Sequence, residues 1–247
     1  MSARRVFRIT GTDRIAFLQN LVTNDVAALK DGLVWAALLS PQGKYLSDFF
    51  LVPGEDSILL DVADPLAADL LQRLRMYKLR SDVSIEPTDI EVARGTGPVP
   101  EGAFADPRDK SLGWRAYDGR KGEQADWEAL RVGAGVPESG IELVPNESFP
   151  LEMAFERLKG VDFKKGCYVG QEVTARMKHK TELRKGLARV AVEGEAPVGT
   201  EIVAADGKPA GTLYTQANGQ GLAYLRFDRA DRPMTAGEAR VKLLEKA

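Results

Sequence analysis

The side chain with the most distinctive chemistry in this sequence is Cys167, the only cysteine among 247 residues. It lies in the stretch FKKGCYVGQEVTAR, directly after two lysines and a glycine. Lysines that lie near a thiol in space favour its thiolate, the form that attacks electrophiles, ligates metals and exchanges disulfides. One interpretation of the stretch is therefore a reactive or ligating thiol, assisted by Lys164 and Lys165.

Two glycines frame this thiol. Gly166 and Gly170 allow positive φ angles and close backbone approach, so we predict a loop that presents its side chains. The loop would connect the helix-like segment LEMAFERLKG to EVTARM, which is predicted as a strand. The competing interpretation is a half-buried cysteine packed by Phe163 and Tyr168, in a tight turn that needs the glycines. The residues by themselves support both interpretations.

Several common uses of a thiol are excluded by the rest of the sequence. A Cys–His protease needs a base within hydrogen-bond reach, and the only histidine, His179, lies beyond a predicted strand. One cysteine and one histidine cannot complete a zinc site, and an iron–sulfur cluster held by this chain alone needs about four thiolate-type ligands. No metal site within the chain is therefore expected. A cluster that is ligated transiently, or shared with a partner, stays open.

Charge is distributed unevenly around the motif. Residues 157–189 contain ten Lys or Arg against three Asp or Glu, in a chain whose net charge is −2. Such a basic patch predicts a polyanionic ligand or partner, and the alternative is a solvated face that binds nothing. A nucleic-acid partner of the C-terminal part is not expected, because the aromatic residues after Met177 that could stack on bases are far in sequence from the basic run.

The composition is that of an ordinary soluble globular protein, with 44% apolar and 28% charged residues. No apolar run approaches the roughly 18 residues of a membrane span, and the N-terminus lacks the apolar core of a secretory signal. One cysteine makes no intrachain disulfide, which favours a reducing compartment. We therefore expect a cytoplasmic protein without a membrane partner, and a monomer.

The elements that must position the motif begin as a mixture of strands and helices. Strands are predicted at RRVFRIT, GLVWAALLS, KYLSDFFLV, SILLDV, DVSIE and DIEVAR. A first helix, capped by Thr10 or Thr12, is predicted to extend through Asn20. A second helix, PLAADLLQRLRMYKLR, is predicted to have Asp64 as its N-cap and Pro65 at its first position.

The middle of the chain is less regular. Residues 95–122 are predicted to form a Gly/Pro-rich connection with one strand at GWRAY. Residues 123–135 and 150–159 are predicted as helices. Helices and antiparallel strands in this order predict an α+β fold rather than a doubly wound sheet.

After Val173 the sequence changes to short strand-like pieces, some of them joined by the hairpin turns Asp206-Gly207 and Asn218-Gly219. This pattern predicts an all-β module of about 70 residues that needs docking or barrel closure for stability. We therefore divide the chain into an α+β body, residues 1–176, and a C-terminal β-barrel, residues 177–247.

The cysteine stretch resembles the signature K-G-C-Y-x-G-Q-E of the YgfZ-type folate-binding proteins. These are relatives of the glycine-cleavage T-protein (aminomethyltransferase) that act in iron–sulfur cluster assembly and repair. Four other blocks are similar to blocks of that family and follow in the expected order within residues 8–189. They are ITGTDRIAFLQNLVTNDV, SPQGKYLSDFFL, MYKLRSDVSIE and DPRDKSLGWR.

The resemblance implies a T-protein-like α+β body of two mixed α/β lobes around a central folate pocket, followed by a small β-barrel. It also implies tetrahydrofolate or a derivative as cofactor, and iron–sulfur client or assembly proteins as partners. The basic segment would then attract the glutamate tail of the folate.

Enzymes of the T-protein type transfer a one-carbon unit to tetrahydrofolate and carry an Asp-Asp pair at the strand that matches YLSDFFL. Ser47 stands beside Asp48 here, and a hydroxyl does not hold the charge that would stabilise a cationic amine or iminium. We therefore favour a folate-dependent accessory protein for iron–sulfur cluster assembly. A folate-dependent aminomethyltransferase is the alternative.

The resemblance makes Cys167 the candidate catalytic residue, by cluster ligation, one-carbon transfer or redox exchange. The candidate folate-binding residues fall into four groups, each with a structural alternative such as capping, helix-end packing or plain surface exposure. Asn24, Asp25 and Asp48 are predicted to contact the pterin, and Tyr77 and Arg80 to line the wall of the pocket. The residues predicted to shape the loop are Lys165, Gly166, Tyr168, Gly170, Gln171 and Glu172. Those predicted to form a surface for the glutamate tail or a partner are Arg176, Lys178, His179 and Lys180.

Overall fold

A computed structural model describes residues 3–179 and 182–247 of the protein. Strands and helices follow one another along these residues in an α+β order. The body contains β1 (Arg4–Thr10), α1 (Arg14–Gln19), β2 (Val34–Leu39), β3 (Tyr45–Pro53), β4 (Ile58–Ala63), α2 (Asp64–Lys78), β5 (Ser84–Pro87), β6 (Ala93–Gly95), β7 (Phe104–Ala105), β8 (Trp114–Ala116), α3 (Trp127–Gly133) and α4 (Gln171–His179). The C-terminal part contains β9 (Lys185–Glu193), β10 (Thr200–Val203), β11 (Pro209–Ala217), β12 (Gln220–Arg226), β13 (Met234–Ala236) and β14 (Ala239–Lys246).

The body is built on a five-stranded antiparallel sheet in the order β2-β3-β4-β1-β5. Strands β2, β3 and β4 are buried almost throughout, because both faces of the sheet are covered and near-continuous apolar runs suit such strands. One face packs against α1 and α2 through Leu18 and Leu70. The other face packs Trp35 against Phe155, with ring centroids 4.3 Å apart, and reaches Leu187 of the barrel.

A second, three-stranded sheet in the order β6-β8-β7 forms the smaller lobe of the body. The C-terminal strands close into a six-stranded barrel in the order β10-β11-β12-β9-β14-β13, with its own apolar core. A buried network docks the barrel on the body: Arg131 donates to Glu142 at 2.9 Å and to Thr215 at 2.6 Å, and Thr215 donates to Glu142 at 2.7 Å. The α+β prediction with a C-terminal barrel is confirmed.

The two predicted hairpin turns of the barrel have the backbone that their residues favour. Gly207, Asn218 and Gly219 have φ angles of 80°, 52° and 72°, in the left-handed region that Gly and Asn tolerate best. None of the helices in the described residues combines the length and the apolarity of a membrane span.

The prediction of a strand at EVTARM is wrong, because these residues lie in helix α4. Val and Thr favour strands, but Val173 and Met177 recur at helical spacing and Glu172 pairs with Arg176 one turn later. The proposed boundary between residues 176 and 177 consequently falls inside α4, and the first barrel strand begins at Lys185.

Three other predicted elements differ from the structure. Residues 150–159 contain only a short 3-10 helix, Pro150–Met153, because Ala154 and Lys159 adopt left-handed φ angles of 63° and 56°. In DIEVAR only the last two residues belong to a strand, and β7 was not expected. The helix predicted over residues 123–135 is shorter, because Asp126 caps α3 just before Trp127.

The predicted helix starts are also displaced by one or more residues. Asp13 precedes α1, because the backbone N–H and hydroxyl of Thr12 both donate to Asp82 instead. At the second helix Ala63 occupies the cap position, so Asp64 is the first helical residue and Pro65 the second. Proline remains within the first turn, where its missing N–H costs nothing.

Candidate functional site

Cys167 is an exposed, free thiol on the loop between residue 160 and α4, as the loop prediction required. The loop is not held by the cysteine itself. Its neighbour Tyr168 is 7% exposed and packs into the main core of the body. Burial raises the pKa of the Tyr168 phenol to about 12. The thiol therefore stands in solvent beside a firmly packed aromatic anchor.

A second anchor is the ammonium group of Lys165, which is turned into the body. Its Nζ donates to the backbone carbonyls of Gln19 at 2.7 Å, Val22 at 2.5 Å and Asn24 at 3.0 Å. Burial lowers the pKa of Lys165 to about 8, although the carboxylates of Asp25 and Asp162 act in the opposite direction. At neutral pH the ammonium keeps all three donors, one for each carbonyl. These contacts are internal, so Lys165 holds the thiol loop against the end of α1.

We expect Lys165→Met to destabilise the protein by about 2–4 kcal/mol, because it leaves buried carbonyls without a donor. Lys164→Met is the matched control, since Lys164 is the exposed neighbour with the same side chain. Urea unfolding gives the free energies, and hydrogen exchange should show faster opening of the loop in the first variant only. Equal stability of the two variants would contradict this role of Lys165.

The two glycines of the loop have different roles. Gly170 has a φ of +82°, and a Cβ there would lie 2.6 Å from the Ser40 carbonyl oxygen. The loop therefore packs tightly on the turn before β3, where a Cβ on Gly43 would meet Val173. Gly166 has no positive φ and would place a Cβ in open space, so its backbone does not use the freedom that glycine allows.

Gly170→Ala is expected to cost about 1–3 kcal/mol of stability, because alanine is strained at this φ and its methyl group collides with backbone. Gly166→Ala is the control and should leave the melting temperature unchanged within about 2 °C. Thermal unfolding of both variants checks the difference. A Gly170→Ala variant as stable as the control would rule out the tight packing of the loop on the turn.

Four of the remaining candidates lie on α4 and have partners within the protein. Gln171 donates to the Gly166 carbonyl at a long 3.5 Å, and the exposed Glu172 and Arg176 pair with each other at 2.6 Å. Lys178 pairs with Glu156. His179 is exposed at the end of α4, and Lys180 lies outside the described residues.

Intramolecular contacts therefore account for much of the predicted basic patch. Further contacts of basic residues within 157–189 join Lys185 to Glu152, Arg189 to Glu245 and to the Gly133 carbonyl, and Arg157 to two backbone carbonyls.

A central cavity of about 490 Å³ lies elsewhere in the body, where the large sheet, the small sheet and the start of α3 meet. Its lining is mostly polar and charged, and no part of it comes from the thiol loop. The lining residues are Ala3, Arg4, Asp48, Glu91, Val92, Arg94, Arg108, Arg115, Trp127, Pro137, Glu138 and Ser139.

The carboxylate of Asp48 is the one predicted pterin contact that lines this cavity. Its Oδ1 accepts from the hydroxyls of Tyr45 at 2.7 Å and Ser139 at 2.6 Å, and its Oδ2 accepts from Trp35 Nε1 at 2.9 Å. Oδ2 keeps one lone pair for a ligand. Burial, together with the charge of Asp48, raises the pKa of Tyr45 well above its ordinary value. Tyr45 therefore remains a hydrogen-bond donor.

A shift in strand register explains how Tyr45 reaches Asp48. Leu38 pairs with Ser47 but Leu39 pairs with Tyr45, so Leu46 is an extra residue and the side-chain alternation changes there. Beyond the bulge, Asp48 faces the cavity side and Ser47 faces the opposite side. The Ser47 hydroxyl has no hydrogen-bond partner in the described structure. The argument that Ser47 replaces a cavity carboxylate is thus wrong.

The floor of the cavity is a buried ion network centred on Arg115. Its Nη1 lies 3.1 Å from Asp61 and its Nε 3.2 Å from Asp106. Arg4 pairs with the same Asp61, and Arg108 with the same Asp106. Burial alone would raise the pKa of Asp106, but Arg108 and Arg115 outweigh it and hold that pKa well below its usual range.

The cavity wall also pairs a cation with an aromatic ring. The Arg94 guanidinium lies 4.1 Å from the centre of the Trp127 ring. Burial lowers the pKa of Arg94 to about 9, and the charges of Arg115 and Arg108 act in the same direction. The carboxylates of Glu138 and Asp106 act in the opposite direction, so the cavity wall holds both signs of charge near Arg94.

The other predicted pocket residues lie away from the cavity. Asn24 donates to the carbonyls of Trp35 and Lys159, and Asp25 caps a 3-10 helix by accepting from Ala27 N. Tyr77 and Arg80 are exposed at the far end of α2. Tyr77 and Arg80 are distant from the cavity because α2 begins near its edge at Ala3 and leads away from it. The helix has 15 residues and is therefore about 22 Å long.

Sequence reasoning missed most of the cavity lining. Arg108 and Arg115 belong to the quoted block DPRDKSLGWR, which was the available signal. Arg94, Trp127 and Glu138 carried no recognisable signal, because they come from three separate segments that meet only in the folded protein.

The fold defines the class of the protein. Its structure is similar to that of glycine cleavage system aminomethyltransferase T from Bartonella henselae, with a TM-score of 0.73, 13% identity, and coverage of 98% of this chain and 82% of that chain. At this identity the similarity shows the fold alone. Residues 184–246 match the C-terminal β-barrel domain of CAF17. The protein thus combines an aminomethyltransferase-T-like fold with a CAF17-type barrel.

Sequence similarity identifies the family. Mouse "Iron-sulfur cluster assembly factor IBA57, mitochondrial" is 30% identical over 95% of this chain and 78% of the mouse protein. The human protein of the same name is 29% identical with the same coverage. The IBA57 homolog of Mycosarcoma maydis is 32% identical over 74% of this chain and 54% of that protein. The chain belongs to the IBA57 family.

Proposed function

We propose that this protein is a tetrahydrofolate-binding accessory factor of the YgfZ type, which serves iron–sulfur cluster assembly or repair through the thiol of Cys167. The observation that carries the proposal is the exposure of the only thiol on a loop that Lys165 and Tyr168 anchor to the body. The names of the relatives, which are iron–sulfur cluster assembly factors, support it.

Cys167 would act as one ligand to a cluster that a partner holds with the others. A thiolate is the preferred protein ligand of iron–sulfur clusters, and about four are needed. Among the described residues no group of three or more His, Cys, Asp or Glu side chains could hold a metal ion. The cluster is therefore cargo that passes at the surface, and a solvent-exposed thiol suits brief ligation.

The central cavity is the proposed folate site. Its volume is in the range of small-molecule pockets, and its donor and acceptor groups suit a folate. Asp48 Oδ2 would accept an N–H of the pterin, the Trp127 ring offers a plane, and Arg94 would pair with a carboxylate of the ligand. Tetrahydrofolate supplies a one-carbon carrier when it is bound. Surface residues Arg176 and Lys178 would contact only a long glutamate tail.

An anaerobic calorimetric titration with tetrahydrofolate tests the cavity. We expect binding that Trp127→Leu weakens at least tenfold, by loss of stacking, and that Arg176→Ala leaves unchanged for the monoglutamate. With S-aminomethyl-lipoyl carrier protein added as donor, no methylene-tetrahydrofolate should form. Turnover would favour the alternative, an aminomethyltransferase. Absence of binding would remove the folate from the proposal.

A cytoplasmic location and a monomeric state complete the proposal. The mouse and human relatives are named as mitochondrial proteins. A single free thiol suits any reducing compartment, so fractionation of the native cells and sedimentation of the purified protein are the direct tests.

A further inference from the structure

An exposed apolar surface lies at the C-terminal end of α2. Leu79 is 87% exposed, Met76 69%, Ile15 49% and Tyr77 39%. We call these four residues the Leu79 surface. Single exposed apolar residues are ordinary, but three of these four lie within four consecutive positions, and the fourth lies on α1, the helix that begins beside them.

Leu79 combines a strained backbone conformation with a side chain that lies in solvent. Its φ of 46° and ψ of −107° follow the last residue of α2, a position that glycine usually occupies. A leucine there costs conformational energy without any gain from burial. Strained backbone conformations cluster at functional sites, ligand clamps and switch regions, so this outlier motivates a functional hypothesis.

The segment that forms most of this surface is basic, and its acidic neighbours are Asp13, Asp69 and Asp82. The segment RLRMYKLR, residues 73–80, has four basic residues and no acidic one, and Arg73 among them pairs with Asp69. Neighbouring Asp13 and Asp82 are engaged in the adjoining turn, where Asp13 accepts from Asp82 N and Asp82 from Thr12 N. The exposed cations Arg75 and Arg80 therefore favour a partner with an acidic rim.

Helix α1 links this surface to the thiol loop. Asp13, which precedes α1, shares a concave surface with Leu79 and Arg80. The last residue of α1, Gln19, accepts a hydrogen bond from Lys165, two residues before the thiol. With six residues, α1 is only about 9 Å long. An interface of ordinary size, about 800 Å² on each partner, covers both ends of it.

We propose that an acidic protein that carries an iron–sulfur cluster docks on the Leu79 surface and thereby brings its cluster to Cys167. Apolar contact by Leu79 and Met76 holds the partner, and the cations Arg75, Lys78 and Arg80 orient its acidic rim. The inference rests on the proposed function for the cluster, but the docking surface itself is tested separately.

Photo-crosslinking in the native cells tests the docking. A benzoylphenylalanine replaces Leu79 in one strain and Val198 in another, because Val198 is an exposed apolar residue of the barrel, at 59%. In parallel, mixed disulfides of Cys167 are trapped under mild oxidation. We expect one acidic protein to be captured at position 79 and at Cys167, and not at position 198.

The captured protein is then purified with its cluster and titrated in vitro. We expect Leu79→Asp and the pair Arg75→Glu with Arg80→Glu to weaken binding at least tenfold, with an affinity that falls as salt rises, while Val198→Asp has no effect. Different proteins at the two positions, or unchanged affinity of the Leu79→Asp variant, would overturn the proposal. Crosslinking of the chain to itself, or Leu79-dependent sedimentation with phosphatidylglycerol vesicles, would also overturn it.

Cys167→Ser separates this inference from the proposed function. Docking through the Leu79 surface should persist in this variant, with crosslinking at position 79 retained, while cluster delivery is lost. If the variant still docks and still delivers the cluster, the thiol has no role in delivery, and the docking surface is still supported. Lost crosslinking at position 79 would mean that the thiol, rather than this surface, holds the partner, and would overturn the inference.

Discussion

Replacing Cys167 by serine is expected to reduce the activity of the iron–sulfur enzymes that depend on this protein at least tenfold, while the fold stays intact. Serine has nearly the same shape, but its hydroxyl does not ionise near neutral pH and is a poor ligand for iron. Because the thiol is exposed, its loss removes little packing. The melting temperature should change by no more than about 2 °C.

The measurement is a complementation assay in cells that lack the native gene, with client enzyme activity compared at equal protein levels. Gly166→Ala is the matched control, because it alters the adjacent residue without meeting any neighbouring atom. Full client activity in the Cys167→Ser strain would argue against a functional thiol. A large fall in the melting temperature of the Cys167→Ser protein would support the structural interpretation of the cysteine.

Arg115→Met is expected to cost about 3–5 kcal/mol of stability, the largest effect of any single change that we predict. Arg115 is 2% exposed, and its guanidinium lies 3.9 Å from the centre of the Phe50 ring and bridges two buried carboxylates, Asp61 and Asp106. Methionine fills part of the volume but leaves both carboxylates with less positive charge than they need. The melting temperature should fall by roughly 10 °C.

Chemical denaturation gives the free energy of unfolding, and the Arg226→Met variant is the matched control. Arg226 pairs with Asp228 at 3.2 Å, but about half of each side chain is exposed, so solvent replaces the contact. The melting temperature of the Arg226→Met variant should stay within about 2 °C of the native value. If the two variants were equally stable, the buried network would not contribute to the stability of the fold.

The same network predicts a change in pH dependence. The folded pKa values of Asp61 and Asp106 are lowered, so their contribution to stability is present above about pH 4, the unfolded value, and is lost as the pH falls below it. Without Arg115, mainly Arg4 offsets the burial of Asp61 and mainly Arg108 offsets that of Asp106, so both pKa values should rise. We therefore expect the variant to lose more stability than the native protein between pH 7 and pH 4. Parallel stability curves of the two proteins over this range would contradict that expectation.

Ser47 shows why the alignment of a motif does not by itself place a side chain. The residue pair Ser47-Asp48 suggested two groups in one pocket, but successive residues of a strand point to opposite faces. The bulge at Leu46 then brings Tyr45, rather than Ser47, to the same face as Asp48. The alternation follows from the predicted strand, but the bulge cannot be inferred from the residue types, because it depends on how the neighbouring strand pairs.

The sequence by itself determined those features that depend on local chemistry. Asn218-Gly219 favours a left-handed turn wherever it occurs, and alternating apolar residues after Lys185 require a sheet with one buried face. The glycines around Cys167 likewise predicted a loop, but the residues by themselves left open whether the thiol is exposed or half-buried.

Only the tertiary structure decided where long side chains end and which distant segments meet. The ammonium of Lys165 lies beneath three carbonyls of another segment, and the cavity combines Asp48, Arg94 and Arg115 from different strands. These placements follow from packing and from the pairing of buried charges, which act between residues far apart in the chain.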